Sequence, residues 1–197
     1  MTDAQQDRPF VSRGGVKLQH ALDRLQLDVR DMVVADLGSN IGGFVDCLLG
    51  NGVRKVYSID TSYGTLAWRL RQDPRVVVME RTNALHVALP EKVDLVTIDI
   101  GWTRQHLILP RALDLTKPGG KVISLLKPQY EADPGEREKG VVKPECYGAI
   151  ITRVTTDLRR HGITILQVLP SPIPGTKGNR EFFLLVVQPT ARHIGRT

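Results

Sequence analysis

The stretch Asp36-Leu-Gly-Ser-Asn-Ile-Gly-Gly-Phe44, followed by Val56-Tyr-Ser-Ile-Asp60, decides how this chain folds. Val33, Val34 and Ala35 run into the glycines as a short buried strand. Residues 42–50 continue as a helix, and the run from Val56 is a second strand that ends on a carboxylate. Strand, tight glycine turn, helix, and a second strand closing on an acid is the layout of a nucleotide-type binding unit, in which the acid meets ribose hydroxyls. The glycines matter because, without a Cβ, the backbone can pass close to a ligand.

The details narrow the ligand. A dinucleotide fingerprint asks for glycine where this chain has Asn40, so a pyrophosphate is hard to seat there. A carboxylate at Asp36, just before the first glycine, repels phosphates and favours a cationic ligand across the turn. S-adenosylmethionine has a ribose, an ammonium and a sulfonium, and no phosphate. The expected cofactor is therefore S-adenosylmethionine, with its sugar on Asp60 and its charges at an acid-rich mouth. The turn itself contributes Asp36, Gly38, Ser39, Asn40, Gly42, Gly43 and Phe44 to the expected cofactor site, and Thr61 follows the ribose acid.

At 197 residues the chain is expected to form one domain over residues 10–188, with a disordered tail at 1–9 and a basic tail at 189–197. No apolar run approaches the roughly 20 residues of a membrane helix, and the polar start reads as no leader peptide. The two cysteines, Cys47 and Cys146, show no metal spacing, which fits a reduced cytoplasmic protein without a structural metal. The net charge of +6 favours polyanionic partners, because neutralised phosphates release counterions. Basic residues gather near Arg13 and Lys17, across residues 69–81, and at Arg137, Lys139 and Lys143.

Apolar runs at 33–37, 56–60, 76–79, 95–99, 122–127, 163–169 and 181–187 alternate with helical stretches at 42–50, 64–71, 105–115 and 149–161. That alternation predicts an α/β fold, a mostly parallel seven-stranded sheet flanked by helices, of the Rossmann-like type used by S-adenosylmethionine-dependent methyltransferases. An amphipathic segment at 16–25 predicts an earlier helix, and Lys117-Pro-Gly-Gly120 a turn. Residues 129–144 read as a long charged loop after a strand end, a place where site covers are found. In such sheets ligands sit outside the carboxyl ends of the strands. The polar residues that fall there are Asp36, Asp60, Asp99 and Lys127. A lone lysine ending an apolar strand needs a partner to offset desolvation, and Asp99 on a neighbouring strand suits it.

At this point the residues match a family. Phe10-Val-Ser-Arg-Gly-Gly-Val-Lys-Leu18, the glycine turn, Asp73-Pro-Arg-Val-Val-Val-Met-Glu-Arg-Thr-Asn83, Leu126-Lys-Pro-Gln-Tyr-Glu131 and Ser171-Pro-Ile-Pro-Gly-Thr-Lys-Gly-Asn-Arg-Glu181 appear in order along nearly the whole chain. Together they resemble the catalytic domain of the TlyA (hemolysin A-like) family, within the FtsJ-like RNA ribose 2′-O-methyltransferases. The resemblance implies a catalytic tetrad of Lys17, Asp99, Lys127 and Glu181. It further implies Gly38, Gly42, Gly43 and Phe44 near the methionine part of the cofactor, Asp60 on its ribose, Asn83 near adenine and Asp99 near the methyl donor. In such a tetrad Lys127 would draw the proton from a ribose hydroxyl, helped by burial and by Lys17 as a second cation, with Asp99 orienting it and Glu181 holding Lys17 or the hydroxyl.

The match also departs from the family. Relatives usually carry a small RNA-binding domain first; this chain is expected to lack it and to rely on its own basic surface or on a partner protein. After Asp99 it reads Ile100-Gly-Trp-Thr-Arg104, where Trp102 and Arg104 are expected to stack on or grip a base, with Arg13, Lys17, Arg137, Lys139 and Lys143 as further RNA contacts. The expected activity is methyl transfer to a ribose 2′-hydroxyl, best of ribosomal RNA. A methyltransferase acting on a small molecule and a non-catalytic cofactor- or RNA-binding protein are the alternatives. A membrane-active role, suggested by the hemolysin label, finds no membrane span or strongly cationic amphipathic helix.

Overall fold

The computed structural model describes residues 9–187, so the expected tails fall outside the described residues apart from Pro9. The elements run α1 (Arg13–Leu25), β1 (Val33–Leu37), α2 (Gly43–Gly50), β2 (Lys55–Ile59), α3 (Trp68–Arg71), β3 (Val76–Met79), β4 (Val93–Ile98) and α4 (Gln105–Leu115). They continue through β5 (Thr116–Leu126), α5 (Pro128–Glu131), β6 (Arg137–Glu138), β7 (Val141–Val142), α6 (Tyr147–Arg160), β8 (Thr164–Pro170) and β9 (Phe182–Val187). The main sheet has seven strands in the order β3-β2-β1-β4-β5-β9-β8, and β6 pairs with β7 separately. All neighbours are parallel except at β9, which runs antiparallel to both β5 and β8.

The strand order follows from where the apolar residues face. β1 is buried along its full length. Val33, Ala35 and Leu37 pack with Ile108, Ala112, Ile150 and Leu158 of α4 and α6. Val34 points the other way, onto Leu18, Leu22, Val45 and Leu48 of α1 and α2. A strand covered on both faces needs a continuous apolar run, which is what residues 33–37 supply. The chain moves outward from β1 to β2 and β3, then returns to lay β4 on the other side of β1. The switch point between β1 and β4 opens a crevice at the carboxyl ends of the strands.

Several boundaries differ from the sequence reading, each for a local reason. α1 starts at Arg13 rather than 16, because Ser12 caps it: its Oγ accepts the Gly14 N–H at 3.3 Å. The expected helix at 64–71 shrinks to Trp68–Arg71, since Gly64 sits at φ 74° and the Ser62 and Thr65 hydroxyls bond to each other at 2.6 Å. Lys117–Gly120 does turn, but inside a strand: Thr116 pairs with Val93 and Lys121 with Leu95, so the residues between bulge outward. The long segment after Lys127 holds a helical turn and a hairpin rather than plain loop, its tight turn made by Lys139 at φ 48° and Gly140 at φ 84°. Cys47 is buried in the α2 core, where burial pushes its thiol up to about 12.

Asp36 corrects an expectation. It does not stand at the mouth of the crevice but lies fully buried in β1, on the face that carries Val34. Its Oδ1 accepts the Thr97 hydroxyl from the adjacent β4 at 2.7 Å, while Oδ2 has no hydrogen-bond partner among the described residues. Burial pushes this carboxyl up to about 7, the hydrogen bond from Thr97 opposing it. A strand covered on both faces gives its last polar residue no route to solvent.

The folded protein therefore keeps the Asp36 proton up to about pH 7, while the unfolded chain releases it near 3.8. Between those values the folded state binds more protons, so this group lowers stability as pH rises, by about 4 kcal/mol once it is fully ionised. Asp36→Asn should flatten that slope. Urea unfolding from about pH 5 to about pH 8 should show the variant losing less stability than the parent across the range.

Candidate active site

The crevice at the switch point is a cleft of about 720 Å³, within the range of small-molecule and cofactor sites. Its walls come from the loops after β1, β2, β3, β4 and β5, from the first turn of α1, and from the segment before β9. Gly38 shows why the glycine turn is needed. At φ 87°, it lies where a Cβ would stand 2.8 Å from the Asp99 carbonyl oxygen. This close approach puts the ends of β1 and β4 side by side. Gly43 serves a different contact, because a Cβ there would collide with the Ser12 Oγ that caps α1.

At one end, Asp60 is the centre of the loop. Its Oδ2 accepts the Asn40 N–H at 2.8 Å, and its Oδ1 accepts the Ser62 N–H at 2.7 Å and hydroxyl at 2.6 Å. Burial works against its charge, but the bonds from Ser62, Asn40 and Thr61 prevail and hold it below the ordinary carboxylate value. An ionised acceptor with lone pairs to spare is what a ribose diol requires. Thr61 and Asn83 line the same end. Asn83 Oδ1 accepts the Leu85 N–H at 2.9 Å, so its NH₂ is the group left for a ligand.

At the other end stand two ion pairs. Lys127 Nζ lies 2.6 Å from Asp99 Oδ1, and Lys17 Nζ lies 2.5 Å from Glu181 Oε2. The first pair is partly open to the cleft, whereas the second is buried. These four residues come from β5, β4, α1 and the entry to β9, and all line the one cleft. Lys17 is thus neutralised by its own carboxylate rather than standing as a bare cation beside Lys127, which changes the expected division of labour.

Of the expected cofactor residues, Gly38, Ser39, Asn40, Gly43, Phe44, Asp60, Thr61, Asn83 and Asp99 line the cleft; Asp36 and Gly42 do not. Gly42, at φ 102°, is required by packing, since a Cβ would run into the side chains of Leu66 and Leu70 beneath the turn. Of the expected RNA contacts, Arg13, Lys17 and Trp102 line the cleft. Arg104, Arg137, Lys139 and Lys143 are exposed but stand outside the cleft lining.

The structure adds residues that the sequence reading missed. Tyr130 packs against Trp102 with ring centroids 4.9 Å apart, each aromatic lying a few positions after Lys127 or Asp99. Trp102 sits at φ 66°, a strained backbone for an aromatic residue, and is 83% exposed. Elsewhere the Arg81 guanidinium lies 4.3 Å over the Tyr63 ring, both adjacent in sequence to the cleft residues Ser62 and Thr82, and Tyr63 is 70% and Trp68 74% exposed. Arg81 has no carboxylate partner among the described residues, whereas Arg69, Arg71 and Arg75 are paired with Asp46, Glu80 and Asp73. Of the exposed aromatics, Trp102 was expected from the sequence, whereas Tyr130, Tyr63 and Trp68 were not, because aromatic residues read first as core.

Fold and cleft together define an α/β protein with a cleft at its topological switch point, beside two lysine–carboxylate pairs. The family model for FtsJ-like methyltransferases matches residues 10–187, and the chain belongs to that family. It is 40% identical over 184 residues to YqxC of Bacillus subtilis, described as a candidate rRNA methyltransferase, a match covering 89% of this chain and 64% of that relative's length. It is 36% identical over 199 residues to the 16S/23S rRNA (cytidine-2′-O)-methyltransferase TlyA of Mycobacterium tuberculosis, covering 98% of this chain and 74% of that protein. A solved structure from Streptococcus thermophilus, described as a candidate hemolysin, superposes with a TM-score of 0.88 at 34% identity, over 94% of this chain and 70% of that one. Among the described residues no helix is long and apolar enough to cross a membrane.

If Gly42 is a packing residue, Gly42→Ala should destabilise the fold by about 2 kcal/mol, from positive φ and the clash together. Denaturant unfolding measures it; an unchanged midpoint would return Gly42 to the ligand.

Proposed function

We propose that this protein transfers a methyl group from S-adenosylmethionine to a ribose 2′-hydroxyl of RNA, ribosomal RNA being the substrate its relatives' names favour. The observation that carries the reading is the convergence of Lys127–Asp99 and Lys17–Glu181 on one cleft at the end of the glycine turn. The cleft suits this cofactor. It offers an ionised acid for the ribose in Asp60, the backbone of Gly38–Asn40 along one wall, and Asn40 where a pyrophosphate site would need glycine. Asn83 would meet the adenine, and Gly43 and Phe44 the methionine part. When bound, the cofactor supplies a methyl group activated by a sulfonium.

The chain's own residues prepare the acceptor. A ribose hydroxyl is a poor nucleophile until its proton is drawn away as it attacks. Lys127, held by Asp99, would orient the 2′-oxygen toward the methyl that the bound cofactor supplies, and the hydroxyl's proton would leave to the Asp99 carboxylate, the one proton acceptor of this pair. Glu181 fixes Lys17, whose ammonium donates to the same oxygen or to the adjacent ribose. Holding donor and acceptor in line supplies much of the rate.

The rims favour a polymer over a small molecule. Both tryptophans of the chain, Trp68 and Trp102, are exposed, although an indole is usually drawn inward by its large apolar surface. Exposed aromatic rings flanked by arginine are stacking surfaces for unpaired bases. Trp102, which lines the cleft, packs on Tyr130, and Tyr63 with Arg81 adjoins the wall residues Ser62 and Thr82 in sequence. Arg13 stands at the cleft, its guanidinium 3.4 Å from Thr176 Oγ1. The hairpin residues Arg137 and Lys139, with Lys143 beyond, extend the basic surface. An enzyme acting on ribosomal RNA as its bacterial relatives do would work in the cytoplasm.

Labelled methyl from S-adenosylmethionine should appear on ribosomal RNA in ribonuclease-sensitive form. Lys127→Ala should lower that transfer by at least ~100-fold while cofactor binding survives. Cofactor binding with no transfer to any RNA would sink the reading in favour of a small-molecule substrate or a binding protein. Replacing Arg137, Lys139 and Lys143 together by alanine should weaken RNA binding and reduce the slope of log affinity against log salt by about two, as expected for three lost contacts to a single strand. An unchanged slope would remove the hairpin from the RNA surface.

A further inference from the structure

The hairpin β6–β7 and the segment leading to β9 are distant in sequence, yet they share one buried carboxamide. Asn179 is 2% exposed. Its Oδ1 accepts the Val142 N–H at 2.8 Å and the Tyr147 hydroxyl at 3.3 Å, and its Nδ2 donates to the Gly140 carbonyl at 2.9 Å. The Tyr147 oxygen in turn accepts the Arg180 N–H at 3.0 Å. The carboxamide thus meets Gly140 and Val142 as the backbone of a neighbouring strand would, taking one N–H and supplying one. A side chain needs a donor and an acceptor on one carbon to do both; a carboxylate or an aliphatic group does not have them.

The backbone of Asn179 has a second task. Its carbonyl accepts the Gly175 N–H at 2.9 Å, closing a small loop through Gly178 at φ 84°. Gly175 packs so closely on Glu181 that a Cβ there would collide with Oε1. The position of the Glu181 carboxylate therefore follows the loop, and the loop follows Asn179.

We propose that Asn179 is a positioning residue. By fastening the loop 175–181 to the Gly140–Val142 hairpin, it sets the Glu181 carboxylate against Lys17, so that the basic hairpin and the buried ion pair form one body. The loss of the carboxamide leaves Glu181 free to tilt, without touching Asp60 or the glycine turn at the other end of the cleft. This inference rests on the methyl-transfer reading for its kinetic consequence but not for the clasp itself.

The test uses Asn179→Ala, Asn179→Asp and Glu181→Gln, singly and combined, in the full chain. Asn179→Asp keeps the outline and removes the donor to Gly140. Both Asn179 variants should lower kcat by about tenfold or more, while the Kd for S-adenosylmethionine by calorimetry stays within about twofold. Added to Glu181→Gln, they should cause no further fall, because the two residues act on one step. Losses that multiply, or cofactor affinity that falls in parallel, would reduce Asn179 to a general packing role and overturn the proposal. Should Asn179→Ala not fold, Tyr147→Phe removes a single hydroxyl from the clasp and should show a smaller loss with the same non-additivity.

Hydrogen exchange on the free protein separates this inference from the function. Asn179→Ala should speed exchange at the amides of Val142 and Gly175 by about tenfold, whatever the substrate, since both lose or loosen their acceptor. Unchanged protection at Val142 would show that no clasp exists. A parent chain that transfers no methyl to RNA, with this exchange intact, would sink the functional reading and leave the clasp standing.

Discussion

The Lys17–Glu181 pair ties the two ends of the domain together. Lys17 lies in the first helix and Glu181 at the entry to the last strand, and both are almost wholly out of water. Burying two charges costs several kcal/mol each, and their attraction repays this only with close geometry. Apolar residues of similar size would often be as stable. A buried pair is thus weak evidence of stability, and this one lies on the wall of the cleft. The fold absorbs its cost through the apolar layers on either side of the sheet, where Leu18 and Phe183, neighbours of the pair in sequence, are fully buried.

Once that pair is set, the rest of the site follows from the sheet. The antiparallel β9 brings Glu181 to the same edge as the carboxyl ends of β4 and β5, which carry Asp99 and Lys127. Gly38 lets β1 and β4 close up until the glycine turn touches the Asp99 carbonyl. The two ends of the cleft thus meet where β1 and β4 lie side by side, and Trp102 and Arg81 hold positive φ outside the regular elements.

Much of this was legible in the sequence. The glycine turn predicted the strand–turn–helix corner of β1 and α2, and the alternation of apolar runs predicted the seven-stranded sheet. Residues 105–115 form a helix with the expected limits, because their pattern and the flanking residues agree. The failures share a cause. Residues 64–71 carry helical spacing, but Gly64 and the Ser62–Thr65 contact spoil the first turn. Local chemistry of that kind is visible only when the neighbours are in place.

The site divides along the same line. The residue types and their places at the ends of apolar strands are properties of local sequence. What each group does depends on contacts across the fold. Asp36 and Asp60 both end apolar strands; one is sealed between two layers and pushed up to about 7, while the other is held ionised by amides of its own loop. Gly42 and Gly43 are adjacent, yet one makes room for leucines and the other for a helix cap. The sequence by itself determined which residues could carry the chemistry. Only the tertiary structure decided which faced the cleft and which partner each charge received, because burial and pairing are set by chain segments far apart in sequence.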